Sequence, residues 1–361
     1  VPTHSQGREG NPPYTTTGLE ECIRKGAEVF GWQAAKKKTA SQSGRFRRGV
    51  GSAACLWIAG AGGPPSTIIV KLFRDGSANL NMGASDIGTG TKTIMAMVVA
   101  EELGIPLEKI DIENADTGTT QYATPSGGSK TVPTESPAVR DAAVAVKQKV
   151  LEMASEDLGV PASQLELRDG QVVGGGQSKK ITEISGLRRR GVLVGLGHRG
   201  PNPQGKVVNP FAAQFCEVEV DTATGEVEIL RFVGTNESGR VMNRLTYDNQ
   251  VFGGIAMGIG LSSTEVRVLD QMHTGRVLSK NWHDYKIPTA LDVPPEMVSE
   301  PIEMPDPEAN TTGSKGLGEP VTIPTAAAVA NAVYDAIGIR VTDTPLNPTQ
   351  LAALLAERKE G

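Results

Sequence analysis

The sequence predicts an α+β fold, and three observations carry that reading. Stretches with helical spacing of apolar residues alternate with β-rich runs, several of which are joined by tight turns as hairpins. The alternation lacks the regular strand–helix repeat of a parallel α/β wind, so mixed sheets with hairpins and packed helices are expected. The 361 residues include 43 glycines and 23 prolines without a collagen-like period, a composition of many turns and close backbone approaches. That length suits two domains or one large one.

Residues 1–17 are polar and rich in Pro and Gly, and read as an extended arm. Leu19, Ile23, Ala27 and Phe30 fall at helical spacing, so a helix is expected over 19–30. Lys36 to Gly44 reads as a basic connection, Gly49 to Cys55 as a strand, and Ala59 to Pro65 as a loop. A hairpin follows, with Thr67–Phe73 turning through Arg74-Asp75-Gly76 into Ser77–Met82. Ile94 to Leu103 is a helix closed by Gly104, and Ile110 to Asn114 is a strand. A long helix is expected over 136–158, with Ala138, Ala142, Val146, Val150 and Met153 on one side. Leu165 to Val173 makes a small hairpin about Asp169-Gly170, and residues 174–203 are Gly-rich, basic and without a clear pattern. A longer hairpin joins Ala213–Val220 to Glu226–Val233. Tyr247 to Leu261 is a helix carrying Gly253, Gly254, Gly258 and Gly260. Each such glycine costs roughly 1 kcal/mol against Ala, so close packing on another backbone or a bulky ligand is expected there. Short strands at 266–269 and 276–278, an ordered turn at Asp284–Pro288, helices at 324–337 and 348–357 and a strand at 339–341 complete the chain.

Three loops carry the chemistry. Gly83 to Thr93 runs from a strand through Gly88-Thr89-Gly90-Thr91 into a helix, and Thr124 to Thr131 leads through Gly127-Gly128-Ser129-Lys130 into another. Hydroxyls and backbone N–H groups converge at such helix starts, which suits an oxyanion; flexible surface turns are the other reading. Lys92-Thr93 does not complete a phosphate-binding P-loop, because Thr89 stands where that motif needs Lys after Gly88. A dinucleotide fingerprint fails at Thr93, and no complete βαβ unit is expected around it. The third loop is Gly313-Ser-Lys-Gly-Leu-Gly-Glu319-Pro320. Its only carboxylate, Glu319, is held between Gly318 and Pro320 just before a helix, as a positioned general base would be, or as a solvated Glu on a linker turn.

A net charge of −5 argues against nucleic-acid binding, and Arg188-Arg189-Arg190 is too short to reverse that. Cys22, Cys55 and Cys216 are scattered, and His4, His198, His273 and His283 form no spaced pair, so no zinc or iron–sulfur site is expected on this chain. No run reaches transmembrane length and no signal peptide stands out, which points to the cytoplasm, with the periplasm as the alternative.

Six ordered motifs make the chain resemble the molybdenum-binding subunit of the xanthine oxidase and aldehyde oxidase family, the molybdenum hydroxylases. They are Asp75-Gly76-Ser77 with Gly88-Thr89-Gly90, the Gly127-Gly128-Ser129 loop, Gln250-Val-Phe-Gly253-Gly254, Gly258-x-Gly260, Asp284-Tyr-Lys-Ile-Pro288 and Gly313–Pro320. The resemblance implies the family's molybdenum-cofactor-binding fold and a molybdopterin cofactor, in the cytosine dinucleotide form. It implies Glu319 as the catalytic base, and Gly88, Thr89, Gly90, Thr91, Gly128, Ser129, Lys130, Thr131 and Gln250 as cofactor-binding residues. Molybdenum would be held through the pterin, with no direct protein ligand. Thr89 stands where many members carry Gln and reaches less far. The family hydroxylates an aldehyde or an N-heteroaromatic, purine-like substrate with water-derived oxygen; a non-catalytic, cofactor-binding scaffold is the alternative.

The chain resembles about the C-terminal half of that subunit. The remaining half, an iron–sulfur (2Fe-2S) subunit and a flavin (FAD) subunit are therefore expected partners, without which the chain would be inactive. Residues 18–361 are expected to form the molybdopterin-binding domain as two α+β subdomains, 18–205 with 325–361, and 206–324. The small residues of 59–65 suggest a roomy substrate pocket.

Overall fold

The computed structural model describes residues 10–58 and 65–360, with side chains through Glu357. The 59–64 loop, His4 and most of the N-terminal arm lie outside the described residues. In order, the chain forms α1 (Leu19–Phe30), α2 (Trp32–Thr39), β1 (Phe46–Leu56), β2 (Thr67–Phe73), β3 (Ala78–Met82), α3 (Thr91–Leu103), β4 (Ile110–Asn114) and α4 (Thr131–Leu158). It continues with β5 (Glu166–Arg168), β6 (Gln171–Gly174), β7 (Gln177–Lys180), α5 (Ser185–Arg190), β8 (Val192–His198), β9 (Phe211–Asp221) and β10 (Val227–Glu237). The last elements are α6 (Arg244–Ile259), β11 (Glu296–Pro301), α7 (Thr325–Ile337) and α8 (Pro348–Glu360). The strands make sheets ordered β1-β9-β10-β11, β4-β3-β2-β8 and β5-β6-β7. The fold is α+β with mixed sheets.

The two four-stranded sheets build separate cores, and the small β5-β6-β7 sheet packs its Val172 into that of β4-β3-β2-β8. Ile68, Val70 and Leu72 of β2 alternate inward with Leu80 and Met82 of β3, and α3 and α4 cover that face. The β1-β9-β10-β11 sheet is covered on both faces. Val218 and Phe232 pack with α6, α7 and α8, while Phe215 and Val233 pack with Phe30 of α1. Gly49 and Gly51 of β1 let α7 press onto the strand, since a Cβ at either would run into the carbonyls of Ala332 or Ala328. The alanines of α7 thus lie against bare backbone.

Several elements depart from the sequence reading. Of the stretch Lys36 to Gly44 read as a connection, residues 36–39 belong to α2: Lys36 and Thr39 bond the Asp335 carboxylate, and the lysines sit in the helix's last turn, where its dipole favours cations. α4 begins at Thr131, not at 136. Pro133 is tolerated in its first turn, and the Pro133 carbonyl that Pro137 cannot bond accepts from Arg199 Nε at 3.4 Å. β3, α3 and β4 do form a strand–helix–strand unit, since β4 pairs parallel with β3; both strands are only five residues long, which hid it. The 174–203 stretch holds β7, α5 and β8. β11 pairs parallel with β10 in an acidic stretch without strand signature. The strands expected at 266–269 and 276–278 reduce to one Leu269–Val277 bridge, and 339–341 is not a strand.

Burial pushes all three cysteine thiols up, Cys55 to about 12, so none is a ready nucleophile. Among the described residues, no helix is long and apolar enough to cross a membrane.

Glu135, in the second turn of α4, is fully buried. Ser66 Oγ donates to its Oε2 at 2.6 Å, while Oε1 has no partner. Burial lifts its carboxyl to about 7, against the lowering effect of the Ser66 bond. Between its ordinary value and about 7, the folded chain holds a proton that the unfolded chain lacks. Stability should therefore fall as pH rises through that window and level off above it. Glu135→Gln removes this titration, so its advantage over the wild-type chain in urea unfolding should grow by roughly 2–3 kcal/mol between pH 5 and 7. Parallel stability–pH curves would contradict the assignment.

Candidate active site

Where the two cores meet, a cleft with about 630 Å³ of empty space opens between three helix starts and one loop. Thr89 and Thr91 come from the start of α3, and Ser129 and Thr131 from the start of α4. Asn243, Thr246, Tyr247 and Gln250 come from α6, and Lys315 to Gly318 from the loop before α7. Its walls carry four hydroxyls from the α3 and α4 loops, the Gln250 amide, Arg240 and Lys315, and, among the described residues, no carboxylate.

The two glycine loops differ in what they offer. Asp86 Oδ1 accepts from the Gly88 and Gly90 N–H groups, and its Oδ2 from the Lys92 N–H at 3.0 Å. Burial pushes this carboxyl up, but those three bonds outweigh it and hold Asp86 below its ordinary value. The start of α3 is therefore partly satisfied by the chain's own anion. The start of α4 has no side-chain cap; Pro133 lacks an N–H and the Thr134 N–H donates to the Lys130 carbonyl, which leaves the Thr131 and Val132 N–H groups for an external acceptor. Gly90 has φ 79°, and a Cβ there would strike Thr246, so this loop lies directly on the start of α6.

α6 is fixed from both ends of its first turn. Asn243 Oδ1 accepts from the Thr246 N–H at 3.1 Å, and Tyr247 donates its hydroxyl to the Asn236 carbonyl at 2.8 Å. Of the helix glycines, Gly254 faces Val321 and Gly258 faces Thr325, with no room for a Cβ at either. Close packing against the α7 segment accounts for these two. Gly253 has nothing within 4 Å, and Gly260 packs on Glu265 and Pro288.

Glu319 is half-buried and joined to Ser129 in both directions. Its N–H donates to Ser129 Oγ at 2.6 Å, and that hydroxyl donates to Glu319 Oε2. Ser129 takes a left-handed φ of 58°, rare for a residue with a side chain, and Gly128 beside it has φ 69°. A Cβ at Gly318 would stand 3.3 Å from Ser129 Oγ and 3.7 Å from Gln250 Oε1, so Gly318 keeps the space between them clear.

The loop that carries Glu319 is anchored by a buried ammonium. Lys315 Nζ donates to Glu237 Oε2 at 2.9 Å, to the Asn209 carbonyl at 3.0 Å and to Thr16 Oγ1, and lies 3.7 Å from Asp306 Oδ2. Glu237 also accepts from the Gly239 N–H, and Asp306 from Thr15 and from the Ala309 N–H. Burial pushes Glu237 up, and Lys315 opposes it.

The residues matching a molybdopterin cofactor-binding domain run from 25 to 294. The chain belongs to the molybdopterin cofactor-binding domain family. It is 32% identical over 354 residues to the xanthine dehydrogenase molybdenum-binding subunit of Escherichia coli O157:H7, covering 93% of this chain and 46% of that protein. It is 31% identical over 342 residues to the aldehyde oxidoreductase molybdenum-binding subunit PaoC of Escherichia coli (strain K12), covering 92% and 44%. The fold matches quinoline 2-oxidoreductase from Pseudomonas putida 86 with a TM-score of 0.88 at 22% identity, over 99% of this chain and 48% of that one. The chain spans about half the length of the relatives it matches.

Of the sequence-derived cofactor residues, Thr89, Thr91, Ser129, Thr131 and Gln250 face one cleft; Gly88, Gly90, Gly128 and Lys130 form the turns that bring them there. Glu319 reaches the wall through Ser129. The sequence reading missed Asp86, Arg240, Asn243, Thr246 and the role of Lys315. Asn243 followed by a helical run was a readable cap signal; the others depend on partners distant in sequence. Hydroxyls, an amide and an open helix start, with no acid on the walls among the described residues, fit an anionic pterin phosphate ligand of this family.

Lys315→Ala would leave Glu237 and Asp306 buried together without their cation. The chain should lose about 3–5 kcal/mol in chemical unfolding. A loss below 1 kcal/mol would show that the cluster does not hold the loop.

Proposed function

We propose that the chain is the cofactor-holding part of the molybdenum-binding subunit of a molybdenum hydroxylase, acting on an aldehyde or N-heteroaromatic substrate. The observation that carries this is the Ser129–Glu319 pair at a hydroxyl-lined cleft, in a chain of the molybdopterin cofactor-binding domain family. Molybdopterin, in its cytosine dinucleotide form, would lie along Thr89, Thr91, Ser129, Thr131 and Gln250, with its phosphates at the start of α4. When bound, this group supplies the redox chemistry and Lewis acidity.

Everything else falls to the chain's residues. Ser129 engages Glu319 Oε2, which fixes the carboxylate and leaves Oε1 as the oxygen to receive a proton in the general-base step. The Glu319 carbonyl accepts from the Thr322 and Ile323 N–H groups, tying the base to the turn ahead of α7. Lys315 holds the loop in register, and Gly318 keeps the approach between Ser129 and Gln250 open. Electrons would leave to partner subunits carrying 2Fe-2S and FAD, as the resemblance to the molybdenum hydroxylases implies.

Elemental analysis of the native complex should find close to one molybdenum per copy of this chain. Glu319→Gln should keep the metal while turnover falls by roughly 10²–10⁴-fold. Unchanged turnover with the metal retained would make the chain a cofactor-holding scaffold, and an intact complex without molybdenum would end the reading altogether.

A further inference from the structure

A polar residue stands where the core is otherwise apolar. Gln214 of β9 pairs with Ala53 of β1 and Gly234 of β10, and lies on the same face of the strand as Cys216 and Val218, which pack with α6 and α7. It is 0% exposed. A buried amide is costly unless both of its ends are hydrogen-bonded. Both ends of Gln214 are, and to one short piece of chain. Its Nε2 donates to the Val321 carbonyl at 2.6 Å, and its Oε1 accepts from Thr325 Oγ1 at 2.7 Å. Val321 and Thr325 are themselves fully buried, and they are the residues on which α6 presses through Gly254 and Gly258.

These bonds fix the turn that leads out of Glu319. The Glu319 carbonyl accepts from the Thr322 N–H at 2.9 Å and the Ile323 N–H at 3.3 Å, so residues 319–323 form one hydrogen-bonded unit. Pro320 stiffens that unit by locking its own φ. Cys55 of β1 donates its thiol to the Pro320 carbonyl at 3.5 Å, beside the bond from Gln214 to Val321. Lys315 holds the loop before Glu319, and Ser129 holds the carboxylate itself. Gln214 holds the chain on the far side.

We propose that Gln214 is a positioning residue for Glu319, which keeps the turn after it against the sheet so that the carboxylate meets Ser129 at the cleft. The inference rests on the proposed role of Glu319 as general base and adds how that base is held. Methionine, unbranched and of similar length, would fill the same space with no polar group to desolvate. What glutamine adds is direction: one donor and one acceptor aimed at two points of the same turn.

Two substitutions in the native complex test this. Gln214→Met removes both bonds, and Thr325→Val keeps that side chain's shape but removes the hydroxyl. Each variant is followed by crystal structure, by molybdenum content and by turnover of benzaldehyde and of purine with ferricyanide as acceptor. In Gln214→Met the contact of the Glu319 N–H with Ser129 Oγ should open beyond hydrogen-bonding distance. Its kcat should fall roughly 10–10²-fold with KM and molybdenum unchanged. Thr325→Val should show a smaller loss of the same kind, and it decides the matter where Gln214→Met fails to assemble. In a complex already carrying Glu319→Gln, neither substitution should lower kcat further, since a residue that acts only through the base then has nothing left to position. An intact Ser129–Glu319 contact, an unchanged kcat, or an equal loss in the Glu319→Gln background would overturn the proposal; where the wild-type complex turns over neither substrate, the contact alone decides. Glu319→Gln with full turnover and its metal removes the general-base reading instead. A loss in Glu319→Gln without one in Gln214→Met removes only the positioning role.

Discussion

One buried ammonium organises the site. Lys315 is sealed from water and reaches the end of β10 through Glu237, the approach to β9 through the Asn209 carbonyl, and the N-terminal segment through Thr16. Three distant parts of the chain thereby meet the loop that presents Glu319. An isolated buried charge is costly, so the loop can settle only where all these acceptors are already in place. The position of Glu319 is in this sense a consequence of the completed fold, and no local preference of the Gly-rich loop could supply it.

Close backbone contact does the complementary work. Gly254 and Gly258 bring α6 against Val321 and Thr325, and Gly90 brings the α3 loop onto Thr246. Gly318 leaves the space between Ser129 and Gln250 clear. The same residue type that allows these approaches would leave the loops loose by itself. The ionic cluster, the Asn243 cap and the Asp86 carboxylate supply the restraint. The result is a wall of hydroxyls, one amide and an open helix start facing a common space, the arrangement a large phosphate-bearing ligand requires.

How much of this was legible follows from where each signal resides. The hairpins at β2–β3 and β9–β10, the helices α1 and α7, and the Gly-rich loops were readable, because alternation and turn residues act over a few positions. The reciprocal Ser129–Glu319 bond was not, since its partners lie 190 residues apart, nor was the Lys315–Glu237 pair, 78 residues apart. Asp86 looked like one more polar residue in a loop; only the folded backbone turns three N–H groups toward it. α2 was hidden by its lysines; Lys36 finds its partner only in Asp335 of α7. β11 has no alternation of its own and is a strand because β10 offers it an edge.

The most direct test of this account is the anomalous signal at the molybdenum absorption edge from crystals of the native complex. A peak in the cleft between the starts of α3, α4 and α6, with Ser129 and Glu319 at its border, is the predicted result. A peak elsewhere, with this cleft filled by protein or solvent, would contradict it.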